Sequence, residues 1–160
     1  MTENRPSDSA VETTHLLLPP DTNHHGTAFG GKILQWMDIA AAIAATRHCR
    51  SPVVTVSVDD LSFERPIRLG DVVRIRTAVN YTGRTSMEVG CRVERENPQT
   101  QTHEHALTGY FTFVAVDTNG DPIPVPGVKP ENSDEKRRFD AGALRRKERL
   151  ERSEKKRSKS

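Results

Sequence analysis

The chain has 160 residues, with 24 Lys and Arg against 22 Asp and Glu. Its formal net charge is +2, its hydrophobic content 34% and its mean hydropathy −0.67. That length suits one domain, and no apolar run reaches the roughly 18 residues a membrane span needs. The charge is uneven. Residues 128–160 hold 13 Lys and Arg against 7 Asp and Glu, a net of +6, which leaves −4 for residues 1–127. Such a basic tail suits nucleic acid, an anionic membrane or a phosphorylated ligand; its end, Ser153–Ser160, reads as a solvated, fraying helix. Cys49 and Cys91 form no CxxC pair, and with no signal peptide the chain reads as cytoplasmic, in a reducing compartment.

In chain order, residues 1–10 are polar with Pro and Ser and read as disordered. Val11–Leu18 reads as a first strand, stopped by Pro19-Pro20-Asp21. A loop then carries Asn23-His24-His25 into a helix from about Gly30 to His48. At 100° per residue Ile33, Trp36, Met37, Ala40, Ile43 and Ala44 share its core face. Asp38 falls on the other side, among Gly31, Ala42 and Ala45. After Arg50-Ser51-Pro52 the period changes to two. Strands are expected at Val53–Phe63, Val72–Thr82, Ser86–Glu96 and Thr102–Val116, with turns at Gly83-Arg84 and Asn119-Gly120. Pro122–Pro130 is an extended connector, and Asp134–Lys156 a polar helical extension. Strand, helix, then four strands is an α+β arrangement: one antiparallel sheet of five to six strands around one long helix.

An acid among small apolar residues needs a partner or a purpose. Gly30-Gly31 at the helix start leaves backbone N–H groups bare, at the helix end that favours negative charge. An amide (Asn23), bare N–H groups and a carboxylate (Asp38) are the parts needed to hydrolyse an acyl compound: one orients, one holds an oxyanion, one activates water. A solvated surface Asp38 and a loop-bound Asn23 are the plain structural alternatives.

The run NHHGTAFGGKILQWMD, followed by AAAIAATRHCR, resembles the acyl-CoA thioesterases of the hotdog-fold superfamily, of the cytosolic acyl-CoA hydrolase type and its bacterial relatives. The likeness continues through VTVSVDD at 54–60, PIRLGD at 66–71, TSMEV at 85–89, FTFV at 111–114 and RRK at 145–147, and covers roughly residues 11–150. The resemblance implies the hotdog fold and acyl-CoA hydrolysis without a serine nucleophile or cofactor, coenzyme A being part of substrate and product. It implies that Asn23 and Asp38 work together from opposite subunits of a dimer, within a trimer of dimers. Some relatives have Asn or Asp where this chain has Thr27, which is assigned at most an accessory hydrogen bond. The resemblance also implies coenzyme A contacts from Val56-Ser57-Val58, from Thr85-Ser86-Met87 and from an arginine of the C-terminal extension, Arg145 or Arg146. Arg forks match phosphate charge, and Arg84, at a hairpin tip, is a further candidate. For Val56 and Met87 the alternative is sheet packing.

Other chemistries fit less well. Gly26-x-x-x-x-Gly31-Lys32 is one residue short of a P-loop, since Ile33 stands where Ser or Thr should hold magnesium. His24-His25 lacks a third ligand, and His103 and His105 read as strand-face histidines, so no metal is expected. No Gly-x-Ser-x-Gly elbow exists. A non-catalytic acyl-CoA-binding module would have no need of Asp38. A nucleic-acid binder would lean on the basic tail, against a net acidic body.

Overall fold

The computed structural model describes residues 2–159. Elements run in the order α1 (Pro6–Ser9), β1 (Val11–Leu16), α2 (Gly30–Cys49), β2 (Val53–Phe63), β3 (Val72–Thr82), β4 (Ser86–Asn97), β5 (Thr102–Ala115) and α3 (Ser133–Lys159). The strands form one antiparallel sheet in the order β1-β3-β4-β5-β2. The strand–helix–four-strand order expected from periodicity is therefore present, with five strands. The second strand in sequence lies at the far edge because the chain crosses over along α2.

The run Ala40-Ala41-Ala42-Ile43-Ala44-Ala45 gives α2 a strong helix former at nearly every position. The helix stops where Arg50 turns left-handed (φ +55°) and returns its N–H to the Thr46 carbonyl at 2.7 Å. Its buried stripe is Ile33, Met37, Ala40, Ala41, Ala44, Ala45 and His48. This differs from the expected face in two places. Ile43 is 39% exposed, and Trp36 lies at the margin, stacked on His15 with ring centroids 4.2 Å apart. The alanines, not the larger residues, face inward because sheet side chains fill the space. Val73, Ile75, Val79, Met87, Val89, Val93, Leu107, Phe111 and Phe113 are all buried against the helix.

The alternation expected in β3 breaks at a bulge between Val79 and Tyr81. Two successive residues, Val79 and Asn80, are therefore buried. The first ten residues, read from composition as disordered, here carry the turn α1. Asn4 ties them down by donating to the His48 carbonyl at 3.0 Å and by pairing with Val128. Helix α3 lies on the sheet face opposite α2. Phe139 meets Tyr81 edge-on, and Gly142 sits against Tyr81 and Glu88. No helix among the described residues is long and apolar enough to cross a membrane.

Candidate active site

The side chain of Asp38 leaves α2 on its half-buried flank, beside exposed Ile39, and reaches β2. There Thr55 donates its hydroxyl to Asp38 Oδ1 at 2.9 Å. A bulge follows at once, between Thr55 and Ser57, and a second lies between Asp59 and Ser62, where Asp60 is left-handed (φ +52°). Strand β2 is a sheet edge, and it exposes Val54, Val56, Val58, Leu61 and Phe63. The carboxylate therefore opens onto an apolar surface of this protomer.

Helix α2 begins without a side-chain cap and has no acidic residue in its first turn. Its leading N–H groups point out of the helix at its positive end. Gly30 and Gly31 leave room there for two aromatic rings. A Cβ at Gly31 would lie 2.9 Å from the Phe29 ring, and one at Gly30 would lie 3.8 Å from the Phe63 ring. Phe29 is 60% exposed and Phe63 49%. An oxygen anion can be held at such a terminus, beside an apolar surface.

Asn23 lies in the loop before α2 and makes its hydrogen bonds there. Its amide donates to Thr27 Oγ1 at 2.9 Å, and its carbonyl oxygen accepts from the His25 N–H at 2.9 Å. Asn23 and Asp38 are thus not joined within one protomer. Thr27 is the partner of Asn23 within this loop. His24 and His25 are exposed, their ring centroids 3.9 Å apart and the planes tilted by 42°.

The residues expected to meet coenzyme A fall into two groups. Val56, Ser57 and Val58 line a cavity of about 510 Å³ with Asp59, Asp60, Arg149 and Arg152. Asp59 is held there by Arg149 at 3.3 Å and Arg152 at 3.4 Å. The Ser57 hydroxyl is enclosed without a partner among the described residues. The other group is the β3–β4 hairpin. Arg84 is exposed at its tip, and Thr85 and Ser86 are half-buried. Met87 takes the sheet-packing alternative: its side chain is wholly buried beneath α2, opposite Phe113, and serves the core.

The two arginines, equivalent in sequence, differ in space. Arg145 forks onto Glu88 at 2.9 and 2.8 Å and lies over the Tyr110 ring, 3.5 Å from its centroid. Burial alone would lower its pKa, and the hydrogen bond to Glu88 together with the charge interactions of Glu88, Tyr110 and Asp60 more than offsets this, leaving it raised. Arg146 lies over the hairpin, with Nε 2.8 Å from where a Gly83 Cβ would stand, a point also 2.8 Å from Ser86 Oγ. Elsewhere, His105 meets Glu64 and His103 meets Arg74. No group of three metal-ligating side chains occurs among the described residues. Burial pushes the Cys91 thiol up to about 12 and raises Cys49 as well, so neither is an activated nucleophile.

The sequence reading did not single out Thr55, Glu88, Asp59, Arg149 or Arg152. A threonine among strand valines looks like ordinary β-propensity. The ionic pairs join residues from 57 to 93 positions apart, a range at which local pattern carries no signal.

The chain matches the Thioesterase superfamily over residues 25–102. It is 44% identical over 128 residues to the uncharacterized acyl-CoA thioester hydrolase YkhA of Bacillus subtilis, covering 80% of this chain and 74% of that one. Among solved structures it is similar to an apo-hexameric acyl-CoA thioesterase, with a TM-score of 0.92, 40% identity and coverage of 96% and 98% of the two chains. It is also similar to an acyl-CoA hydrolase of Staphylococcus aureus solved with butyryl coenzyme A, coenzyme A and coenzyme A disulfide. That match has a TM-score of 0.92, 36% identity and coverage of 98% and 95%. Variants of the Staphylococcus protein replace an asparagine, an aspartate and a threonine by alanine, and superpose with TM-scores of 0.91 to 0.93. Those residues are spaced along that chain at the same intervals as Asn23, Asp38 and Thr55 along this one.

Proposed function

The chain belongs to the acyl-CoA thioester hydrolases of the thioesterase superfamily and has their hotdog fold, and on that footing we propose that it hydrolyses acyl-CoA to a free carboxylic acid and coenzyme A, with Asp38 at the centre of the chemistry. The observation that carries this reading is the Asp38–Thr55 bond on the open flank of α2. The Thr55 donor fixes one carboxylate oxygen and leaves the other for water or the thioester. Residues of the same three types, at matching intervals, are the ones substituted in the Staphylococcus enzyme.

As general base, Asp38 takes a proton from a water that attacks the thioester carbonyl. As nucleophile, it forms a mixed anhydride that water then cleaves. In either route negative charge develops on the carbonyl oxygen. The N–H groups of Gly30 and Gly31 stabilise it, at the helix end built for an anion. The coenzyme A thiolate leaves, and no cofactor takes part.

The reaction needs a second copy of the chain. Strand β2 offers an unpaired edge with five exposed apolar side chains, a surface suited to an identical strand and costly to leave wet. In the resulting dimer Asn23 of the partner subunit completes the site and orients water or the carbonyl. The homo-oligomer is a trimer of such dimers. The acyl chain runs into the apolar surface at Phe29 and Phe63. Val56–Val58 and the hairpin of Arg84, Thr85 and Ser86 receive coenzyme A, and Arg146 is the phosphate-facing arginine of the pair, because Arg145 is already committed to Glu88.

The test is free-thiol release from acyl-CoAs of C2 to C18 by wild type and Asp38→Ala. Turnover by wild type, with loss of about 10²-fold or more in kcat in the folded variant, supports the reading. Coenzyme A binding without turnover of any chain length overturns it in favour of a binding module. Single turnover in ¹⁸O-labelled water is a one-way test of the routes: label in the Asp38 carboxylate establishes Asp38 as the nucleophile, with water opening the anhydride at the Asp38 carbon, whereas attack at the acyl carbon places the label only in the acid product.

A further inference from the structure

Glu88 is 4% exposed on the face of β4 away from α2, where an unpaired carboxylate would be costly. Three groups meet it. Arg145 of α3 forks onto both its oxygens, Asn80 donates to Oε1 at 3.3 Å, and Gly142 of α3 lies against it. A Cβ at Gly142 would stand 3.0 Å from Glu88 Oε1 and 2.9 Å from Tyr81 Cβ. The helix thus approaches the sheet this closely only because residue 142 has no side chain. The Arg145 guanidinium lies over the Tyr110 ring, and a neighbouring contact, Phe139 on Tyr81, fixes the helix one turn earlier.

The next residue after Arg145 is Arg146, and its guanidinium crosses Gly83 beside Ser86. Gly83 is the second glycine at this contact, and any side chain there would strike Arg146. Arg146 has long, flexible torsions, and holding it in place costs side-chain entropy. An anchor one residue away removes much of that cost before a ligand arrives.

We propose that Glu88 is a positioning residue: with Gly142 it forms a latch that holds α3 in register so that Arg146 stands over the β3–β4 hairpin, poised for the phosphates of coenzyme A. This rests on the reading of Arg146 given above. The latch acts on ground-state recognition of the nucleotide end, and it is on the opposite side of the sheet from α2 and Asp38. Its loss therefore raises KM for acyl-CoA much more than it lowers kcat.

The experiment compares two substrates with the same acyl group: an acyl-CoA, and the acyl-pantetheine thioester, which carries no phosphate. The full-length chain is used in four forms, wild type, Arg146→Ala, Glu88→Gln and Gly142→Ala. The readout is the ratio of kcat/KM for acyl-CoA to that for acyl-pantetheine. Arg146→Ala is expected to lower this ratio about tenfold or more, the size expected for losing a charge-assisted bond to phosphate. Glu88→Gln and Gly142→Ala are expected to lower it in the same sense, through KM. A general structural defect would instead lower both substrates equally and leave the ratio where it was. Should the ratio fall for Arg146→Ala yet stay at the wild-type value in the two latch variants, the latch is refuted and the arginine reading stands. If the ratio does not fall for Arg146→Ala, the arginine reading fails and the latch with it. Should Glu88→Gln not fold, Gly142→Ala decides alone, since alanine is the better helix former and disturbs only the helix–sheet spacing.

Discussion

Thr55 holds Asp38 by a single hydrogen bond of 2.9 Å that joins the central helix to the edge strand of the sheet. The two residues lie 17 positions apart, on elements joined by the turn at Arg50–Pro52. The bond aims the carboxylate at the open edge and away from the core. Thr55→Ala should therefore leave the fold intact, because Thr55 is exposed, yet lower kcat on the order of tenfold as Asp38 loses its orienting donor. Thr55→Ser should recover most of that rate. A kcat within twofold of wild type for Thr55→Ala would mean that the bond has no catalytic part.

Asn23 and Asp38 do not meet within one protomer, which gives a complementation test. Asn23→Ala and Asp38→Ala homo-oligomers should each be nearly inactive. When the two are mixed under conditions that exchange subunits, one of the two active sites in each mixed dimer carries both intact residues. Activity should then return well above either parent. Its absence, with subunit exchange verified by mass, would argue that each active site is built from one chain.

The Glu88–Arg145 pair sets an expectation for stability. Removing one member leaves the other charged under α3. Arg145→Ala should cost about 3–5 kcal/mol, whereas replacing both with apolar residues of similar size should cost far less. Urea unfolding of the single and double variants measures this. Equal losses in the two would show that packing of α3, not the uncompensated charge, dominates.

His48 is enclosed at the end of α2, its Nε2–H donating to the Pro126 carbonyl at 2.8 Å, and Nδ1 finds no partner among the described residues. Burial lowers its pKa, the Pro126 contact only partly opposing this. A base with a folded pKa below its unfolded value binds its proton more readily when unfolded. Its neutral form therefore supports the fold at neutral pH, and that support is lost as pH falls from about 6.5. Melting temperature should drop over that range in wild type, and the drop should be shallower in His48→Gln. His15, also lowered by burial, keeps some slope in the variant.

Thiol accessibility tests the core. Cys91 is fully enclosed, with its thiol raised to about 12, while Cys49 is half-buried. Ellman titration of the native protein should count no more than one thiol per chain, and two after guanidinium is added. Rapid reaction of both in the native protein would contradict the packing of β4 against α2.

Much of the fold was legible in the sequence because its signals are local. The polyalanine run of α2, the Val and Thr alternation of β2 to β5, and the Gly and Pro breaks place every long element within a few residues. The bulge in β3 was not legible, since burying Val79 and Asn80 together needs the register of a neighbouring strand. Nor was the helix face, where Ala41 and Ala45 displaced Trp36 and Ile43 because the opposing sheet side chains set the available volume.

The elements, their order and the run from Asn23 to Asp38 follow from propensity, period and a motif whose residues are neighbours along the chain. The folded chain sets which groups stand together. It brought Thr55 to Asp38, kept Asn23 in its own loop, committed Arg145 to Glu88 and left Arg146 over the hairpin. Those relations join residues distant in sequence. They depend on strand register, on two glycines that allow α3 to settle, and on the low polarity that makes an unpaired Glu88 costly, none of which is written in any local stretch of the chain.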